Sequence, residues 1–342
     1  MIAVPLRAQE AATGGSTEIG LDPIAEHYQL GNGFKLGDSG FTLGGYGALV
    51  YQDAKDSDPQ AAVDALSAIL WWDGGGRWHF FAELELEDGL IARKGDTTTD
   101  EAEWVSERLY FDYIHTDVFK LRFGKFLTPV GRWNLIHAAP LTWTTSRPLI
   151  TETTFPTNAT GAMVYGVLPW TAEGIEYSIY GSIGEELFPE DDLDTFREAL
   201  GGRVAASPLP NTQIGLSVVS FEQESSGDEH KTLYGLDLLW SWRQFEISGE
   251  LAYRTITSGP QQRDEEGHYL QLVTPTPVPR LFMVLREEAF HVPAPDRDQS
   301  LSLVGLNYRW RPALTFKAEY SWARDDELQL PEGFLASISV LF

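Results

Sequence analysis

Residues 78–87 read Trp-His-Phe-Phe-Ala-Glu-Leu-Glu-Leu-Glu. At a period of two, Trp78, Phe80, Ala82, Leu84 and Leu86 share one face, while His79, Phe81, Glu83, Glu85 and Glu87 share the other. A strand packed on both sides cannot hold three carboxylates in a row. A strand standing between hydrocarbon and water can, so this stretch predicts one stave of a transmembrane β-barrel.

The same dyad recurs along the chain. Phe245, Ile247, Gly249, Leu251 and Tyr253 alternate with Glu246, Ser248, Glu250, Ala252 and Arg254, and Leu314, Phe316, Ala318, Tyr320 and Trp322 with Thr315, Lys317, Glu319 and Ser321. Marking every such segment predicts sixteen strands near 41–51, 61–72, 77–87, 103–115, 118–126, 161–168, 174–183, 200–207, 212–222, 231–241, 244–255, 267–274, 280–287, 300–309, 313–323 and 333–342. Segments of about ten residues suit a tilted strand crossing a bilayer. The count is even, and the connectors are expected to alternate strictly: short at 73–76, 116–117, 169–173, 208–211, 242–243, 275–279 and 310–312, longer everywhere else. Short turns on one side and long loops on the other are what an outer-membrane barrel requires.

Trp72, Trp78, Trp170, Trp240, Trp242 and Trp310 fall at or beside the short turns, where an interfacial girdle or a hairpin core would place them. The chain stops on an amphipathic strand whose last residue is Phe342. A terminal aromatic on such a strand resembles the signal read by the barrel-assembly machinery.

Composition agrees. With 25 Lys+Arg against 50 Asp+Glu the net charge is −25, which makes nucleic acid an improbable partner, while 43% apolar and 12% aromatic residues exclude a disordered acidic chain. No Cys is present, which removes disulfides, thiol catalysis and cysteine-bound zinc, and suits a protein that crosses the periplasm unfolded. No stretch reads as a helical membrane span. Residues 1–39 are expected to be a lead-in, with MIAVPLRAQE either the tail of a secretory signal or the product of a start placed too far downstream and a periplasmic segment after it, and 40–342 the barrel.

One connector differs. Leu127 to Thr160 spans 34 residues, is rich in Pro, Trp and Thr, and carries a net +1 from Arg132, Arg147 and Glu152, whereas the other seven long loops together carry −20. Long loops inside a compact fold are functional or disordered. The apolar content of this one, Trp133, Leu135, Ile136, Leu141, Trp143, Leu149 and Ile150, predicts packing against the inner wall, so that the third loop folds into the lumen. The acidic rim is either simply solvated, or it bridges lipopolysaccharide phosphates through divalent cations or enriches cations at the mouth. Glu190, Asp191, Asp192 and Asp194 are its densest cluster, but their spacing does not match an EF-hand.

Around the loop base Arg108, Lys120, Arg122, Lys125, Arg132 and Arg147 are expected to form a basic ladder facing Asp112, Glu83 and Glu85. They would either set a transverse field across a constriction or pair with one another, and both options predict a pore wall of low hydrophobicity.

Gly124 to Asn134, GKFLTPVGRWN, resembles the segment that leads into the pore-folding third loop of the phosphate-selective porin O/P family and related sixteen-stranded outer-membrane porins, and His137, Pro140, Arg147, Pro148 and Leu149 are similar to the same family's loop. The resemblance implies passive uptake through a channel in the outer membrane, commonly a homotrimer surrounded by outer-membrane lipid and lipopolysaccharide. Phosphate-selective members need a run of lumen lysines, which this chain lacks, so that selectivity is not carried over.

A hydrolase on a barrel would need a nucleophile, base and orienter. None of the seven His stands near a Ser in the required way, and GxSxG, HExxH and a phosphate-binding glycine loop are all missing. The sequence therefore predicts a non-enzymatic porin with no cofactor, passing small hydrophilic or charged solutes. The alternatives are a plugged adhesion or structural barrel acting through its acidic loops, or an outer-membrane hydrolase.

Overall fold

A computed structural model describes residues 28–29, 33–55, 57–136, 138–183, 186–188, 194–224, 229–293, 296–324 and 332–342. Sixteen long strands dominate: β1 Phe41–Ala54, β2 Gln60–Asp73, β3 Trp78–Arg93, β4 Glu103–Ile114, β5 Lys120–Leu127, β6 Asn158–Leu168, β7 Ile175–Ile183, β8 Phe196–Ala206, β9 Thr212–Gln223, β10 Glu229–Trp242, β11 Phe245–Ser258, β12 Gln261–Pro275, β13 Leu281–Pro293, β14 Asp296–Arg311, β15 Leu314–Arg324 and β16 Gly333–Leu341. Each pairs antiparallel with its neighbours in sequence, and β16 pairs with β1 from Gly333↔Ala54 to Leu341↔Tyr46. The ring of sixteen strands therefore closes on itself.

Alternation sorts the side chains as the sequence predicts. Leu84, Leu200, Leu216, Leu251, Leu270 and Leu306 are exposed on the outer face, whereas Glu83, Glu250, Arg286, Glu288, Asn307 and Lys317 are buried on the inner one. Trp78, Trp170, Trp242 and Trp310 are exposed near the short turns, and Trp104, Tyr320 and Trp322 stand toward the opposite end, so the aliphatic band carries aromatics at both margins. Among the described residues no helix is long and apolar enough to cross a membrane.

Three expectations are corrected. The connectors near 256–266 and 288–299 are not long loops: Ser258 pairs with Gln261, and Pro293 with Asp296, because β11 to β14 continue as paired hairpins through most of both stretches. Within 1–39, Gly33–Lys35 joins the sheet through Phe34↔Leu43 and Lys35↔Thr42, beside β1. The inner wall is also less polar than expected. Phe126, Tyr180, Phe196, Phe221 and Leu233 are buried there and join one apolar cluster with Val130, Trp133, Leu149 and Ile150 of the third long loop. The signal-remnant expectation lies outside the described residues.

Candidate functional site: a loop fastened across the inner wall

The loop begins where β5 ends. Gly131 takes φ +64°, a conformation that favours glycine, and a Cβ there would run into Glu250 Oε2 on β11. That carboxylate accepts the backbone N–H of Arg132 at 3.0 Å and of Trp133 at 2.6 Å, and the Tyr269 hydroxyl at 2.9 Å. Trp133–Ile136 is a single helical turn (α1), so Glu250 supplies acceptors to N–H groups that a helix start leaves orphaned.

Beyond it, Thr142–Ser146 lies against β13 to β15. Lys317 Nζ donates to Ala139 O (2.7 Å), Thr142 Oγ1 (2.7 Å) and Thr144 O (2.9 Å). Glu319 accepts from Thr145 N and Ser146 N, each at 2.8 Å. Arg286, buried on β13, donates to Thr144 Oγ1 (2.8 Å), Ser146 O (3.0 Å) and Ser146 Oγ (2.7 Å), and Asn307 Nδ2 to Trp143 O at 2.9 Å.

A second short helix, α2 (Leu149–Thr153), is charged at both ends. Glu288 accepts from Leu149 N at 2.7 Å, and Arg254 donates to Thr153 O and Thr154 O at 3.1 and 2.8 Å. An anion at the start and a cation at the end complement the helix dipole. The loop closes where Thr128 N donates to Thr157 O at 2.9 Å and Asn134 Nδ2 bridges Thr128 O and Thr157 O at 2.8 and 2.9 Å. Hydrogen bonds to buried charges are each worth about 1.5–3 kcal/mol, so the segment is fastened rather than merely leaning on the wall.

The residues of the expected ladder divide. Glu83 receives Ser67 Oγ at 3.0 Å and is ion-paired with Arg108, whose guanidinium lies 4.6 Å over Phe81. Glu85 receives the Tyr46 hydroxyl at 2.5 Å. Arg122 grips both oxygens of Asp112 at 2.8 Å and stacks 3.7 Å over Tyr110, and Lys120 Nζ lies 5.8 Å from the Tyr165 ring. Glu83, Glu85, Arg108, Asp112, Lys120 and Arg122 share one parity along β3 to β5, largely as self-paired units. Arg132 donates to Gln213 Oε1 at 3.1 Å, while Arg147 acts electrostatically on Asp64, a bulge residue of β2.

Lys125 is a correction. It pairs opposite Leu109 and Thr160 in the outward series, because Arg122 and Gly124 hold the inward parity. There it is 1% exposed beneath the 186–188 segment, 3.7 Å from Glu186 and bonded to Phe188 O at 3.2 Å. Burial raises the carboxyl of Glu186 above its ordinary range, against the opposing pull of Thr160 and Lys125.

Of the acidic cluster, Glu190, Asp191 and Asp192 lie outside the described residues, as does His137, and the Asp194 carbonyl accepts from Gln223 at 2.7 Å. Among the described residues no three His, Asp or Glu side chains converge as a metal site. Phe342 exchanges backbone hydrogen bonds of 2.9 and 3.0 Å with Gly45 at the seam. The sequence reading missed Glu250, Arg254, Arg286, Glu288, Lys317 and Glu319. Each was legible as a polar residue of inward parity, but no local signal says that its partner lies in a loop a hundred or more residues away.

No protein-family model matches the chain. A protein of Aquifex aeolicus described as uncharacterized is 31% identical over 261 residues, covering 70% of this chain and 56% of that relative, so the chain spans little more than half of the relative's length. Among solved structures, an anion-selective porin from Comamonas acidovorans aligns at TM-score 0.61 and 13% identity, covering 88% of this chain and 98% of its own. Salmonella typhi OmpF, in complex with daunomycin, gives 0.66 at 9% identity with coverage of 90% and 99%. The trimer form of OmpT from Vibrio cholerae gives 0.63 at 11%, covering 88% and 99%. At these identities the likeness is one of fold: the chain has the closed barrel fold of the outer-membrane porins.

Proposed function

We propose that the chain is a diffusion channel of the outer membrane for small hydrophilic or charged solutes, with residues 128–157 narrowing its lumen. The observation that carries this is the fastening of the third loop by Glu250, Arg254, Arg286, Glu288, Lys317 and Glu319, all on the inner face. Burying so many charges is costly unless hydrogen bonds answer each one, and here the loop supplies those bonds only in this one position, so in a barrel of this width that loop decides what passes. Paired charges such as Arg122 with Asp112 and Arg108 with Glu83 would form a polar wall opposite the fastened side. The stretch Gly124–Asn134, with Gly131 set against Glu250, supports kinship with the phosphate-selective porin-like family without its phosphate selectivity. A homotrimer, contact with lipopolysaccharide and recognition of Phe342 during assembly belong to the same proposal.

Planar-bilayer recording of the refolded protein tests it, with stepwise, ion-sized conductance as the expected result. A plugged barrel is favoured by one observation, the apolar cluster joining Phe126, Phe196 and Phe221 to the loop. Silence from folded protein would decide for the plug.

A further inference from the structure

We propose that a pocket beneath the third loop, in the short-turn half of the barrel, binds a small carboxylate that also carries a hydroxyl or amino group. The cavity, about 170 Å³, lies between Arg132 and Trp143 of the loop and Glu246, Gln271 and Arg309 of the wall. That volume is well below a drug-sized pocket, so its occupant is small.

Two unanswered polar atoms define the chemistry. Gln271 is 1% exposed, and its Oε1 is enclosed without a hydrogen-bond partner; Arg309 Nε is likewise enclosed and unpartnered. Both side chains line the same cavity, and a buried acceptor and a buried donor without partners ask for a ligand that offers both.

Charge selects the class of that ligand. Arg309 stacks 3.7 Å over the Trp143 ring rather than on a carboxylate, and Arg132 donates to the neutral Gln213. Among the described residues neither guanidinium forms an ion pair within 4.0 Å, and the one carboxylate lining the cavity, Glu246, accepts the Trp143 indole N–H at 2.8 Å. Two guanidiniums against one carboxylate leave a positive excess in a chain of net charge −25. A guanidinium stacked on an indole keeps its in-plane N–H groups free for the fork of a carboxylate. A hydroxyl or amino group on the adjacent carbon would then donate to Gln271 Oε1. Water alone answers Gln271 but leaves the charge excess.

The role of this pocket in transport rests on the channel reading; its occupancy does not. The test is calorimetric titration of the refolded wild-type protein in detergent with sodium lactate, sodium propionate, which lacks the hydroxyl, and lactamide, which lacks the charge, at constant chloride. Saturable heat is expected with lactate, and binding weaker by about tenfold or more with each analogue, the effect of one lost hydrogen bond to a charged or buried partner. Gln271→Leu should erase the preference for lactate over propionate, and Arg309→Met the preference over lactamide. Absence of saturable heat with lactate, or equal affinity for all three compounds, overturns the site, and this needs no variant to fold. Wild-type protein that conducts but gives no lactate heat removes the pocket and leaves the channel; heat without conductance does the reverse.

Discussion

Lys317 and Glu319, two residues apart on the inner face of β15, hold the same stretch of the third loop with opposite charges. Lys317 takes the oxygens of Ala139, Thr142 and Thr144, and Glu319 the N–H groups of Thr145 and Ser146. Period-two spacing puts both on one face, so one strand presents a donor and an acceptor side by side to the bent backbone of 139–146.

Glu319→Ala removes the acceptor of two N–H groups while leaving the barrel wall intact. Each orphaned buried donor costs about 1–3 kcal/mol, so the Thr142–Ser146 stretch should open locally. Faster hydrogen exchange at the Thr145 and Ser146 amides is expected, together with larger current noise in the conducting state. Unchanged exchange at both amides would show that the loop does not depend on this carboxylate.

Gly131→Ala should destabilise the folded barrel by about 1–3 kcal/mol, because the position takes φ +64° and a Cβ displaces the Glu250 carboxylate from the start of α1. Gly76→Ala is the control, since a Cβ there meets nothing within 4 Å. Urea unfolding from lipid vesicles should separate the two, and equal midpoints would show that neither the left-handed backbone nor the Glu250 contact limits the residue at 131.

Ion selectivity should follow the pairings rather than a free basic ladder. Arg122→Gln exposes the Asp112 carboxylate that it covers with two 2.8 Å bonds, so reversal potentials in a salt gradient should shift toward cations. Arg132→Gln and Arg147→Gln shift in the same direction, Arg147 through the field it exerts on Asp64. Asp112→Asn should oppose the Arg122→Gln shift. Lys125→Gln, on the outer face, should leave the reversal potential where it is.

The barrel was legible because hydrocarbon and water on opposite sides of a wall imprint a period of two, and Trp78–Glu87 or Phe245–Arg254 carry that imprint in consecutive residues. Where no apolar residue marks a face the imprint fades: Gln262, Arg263, Asp264 and Glu265 continue the ladder as β12, yet read as a loop. Lys125 was misplaced because a count anchored on basic character rather than on parity lets Arg122 and Lys125 share a side, and three residues apart on a strand they cannot. The loop's fastening was hidden for a different reason. Glu250 and Gly131 are meaningful only as a pair, and nothing near either one in the sequence points to the other.

The 186–188 segment over Lys125 gives a pH dependence whose sign is fixed. Burial raises the Glu186 carboxyl above its unfolded value, so the docked segment favours the protonated acid. That contribution is complete below the ordinary glutamate value of about 4.3 and is lost as pH climbs through the raised folded value. A spin label on Leu187→Cys, unique in a chain without cysteine, should be immobilised at acid pH and loosen as pH rises. Glu186→Gln keeps the hydrogen bond from Thr160 without an ionisable group, so in that background the label should stay immobilised across the range. Equal pH responses with and without Glu186 would show that another group controls the segment.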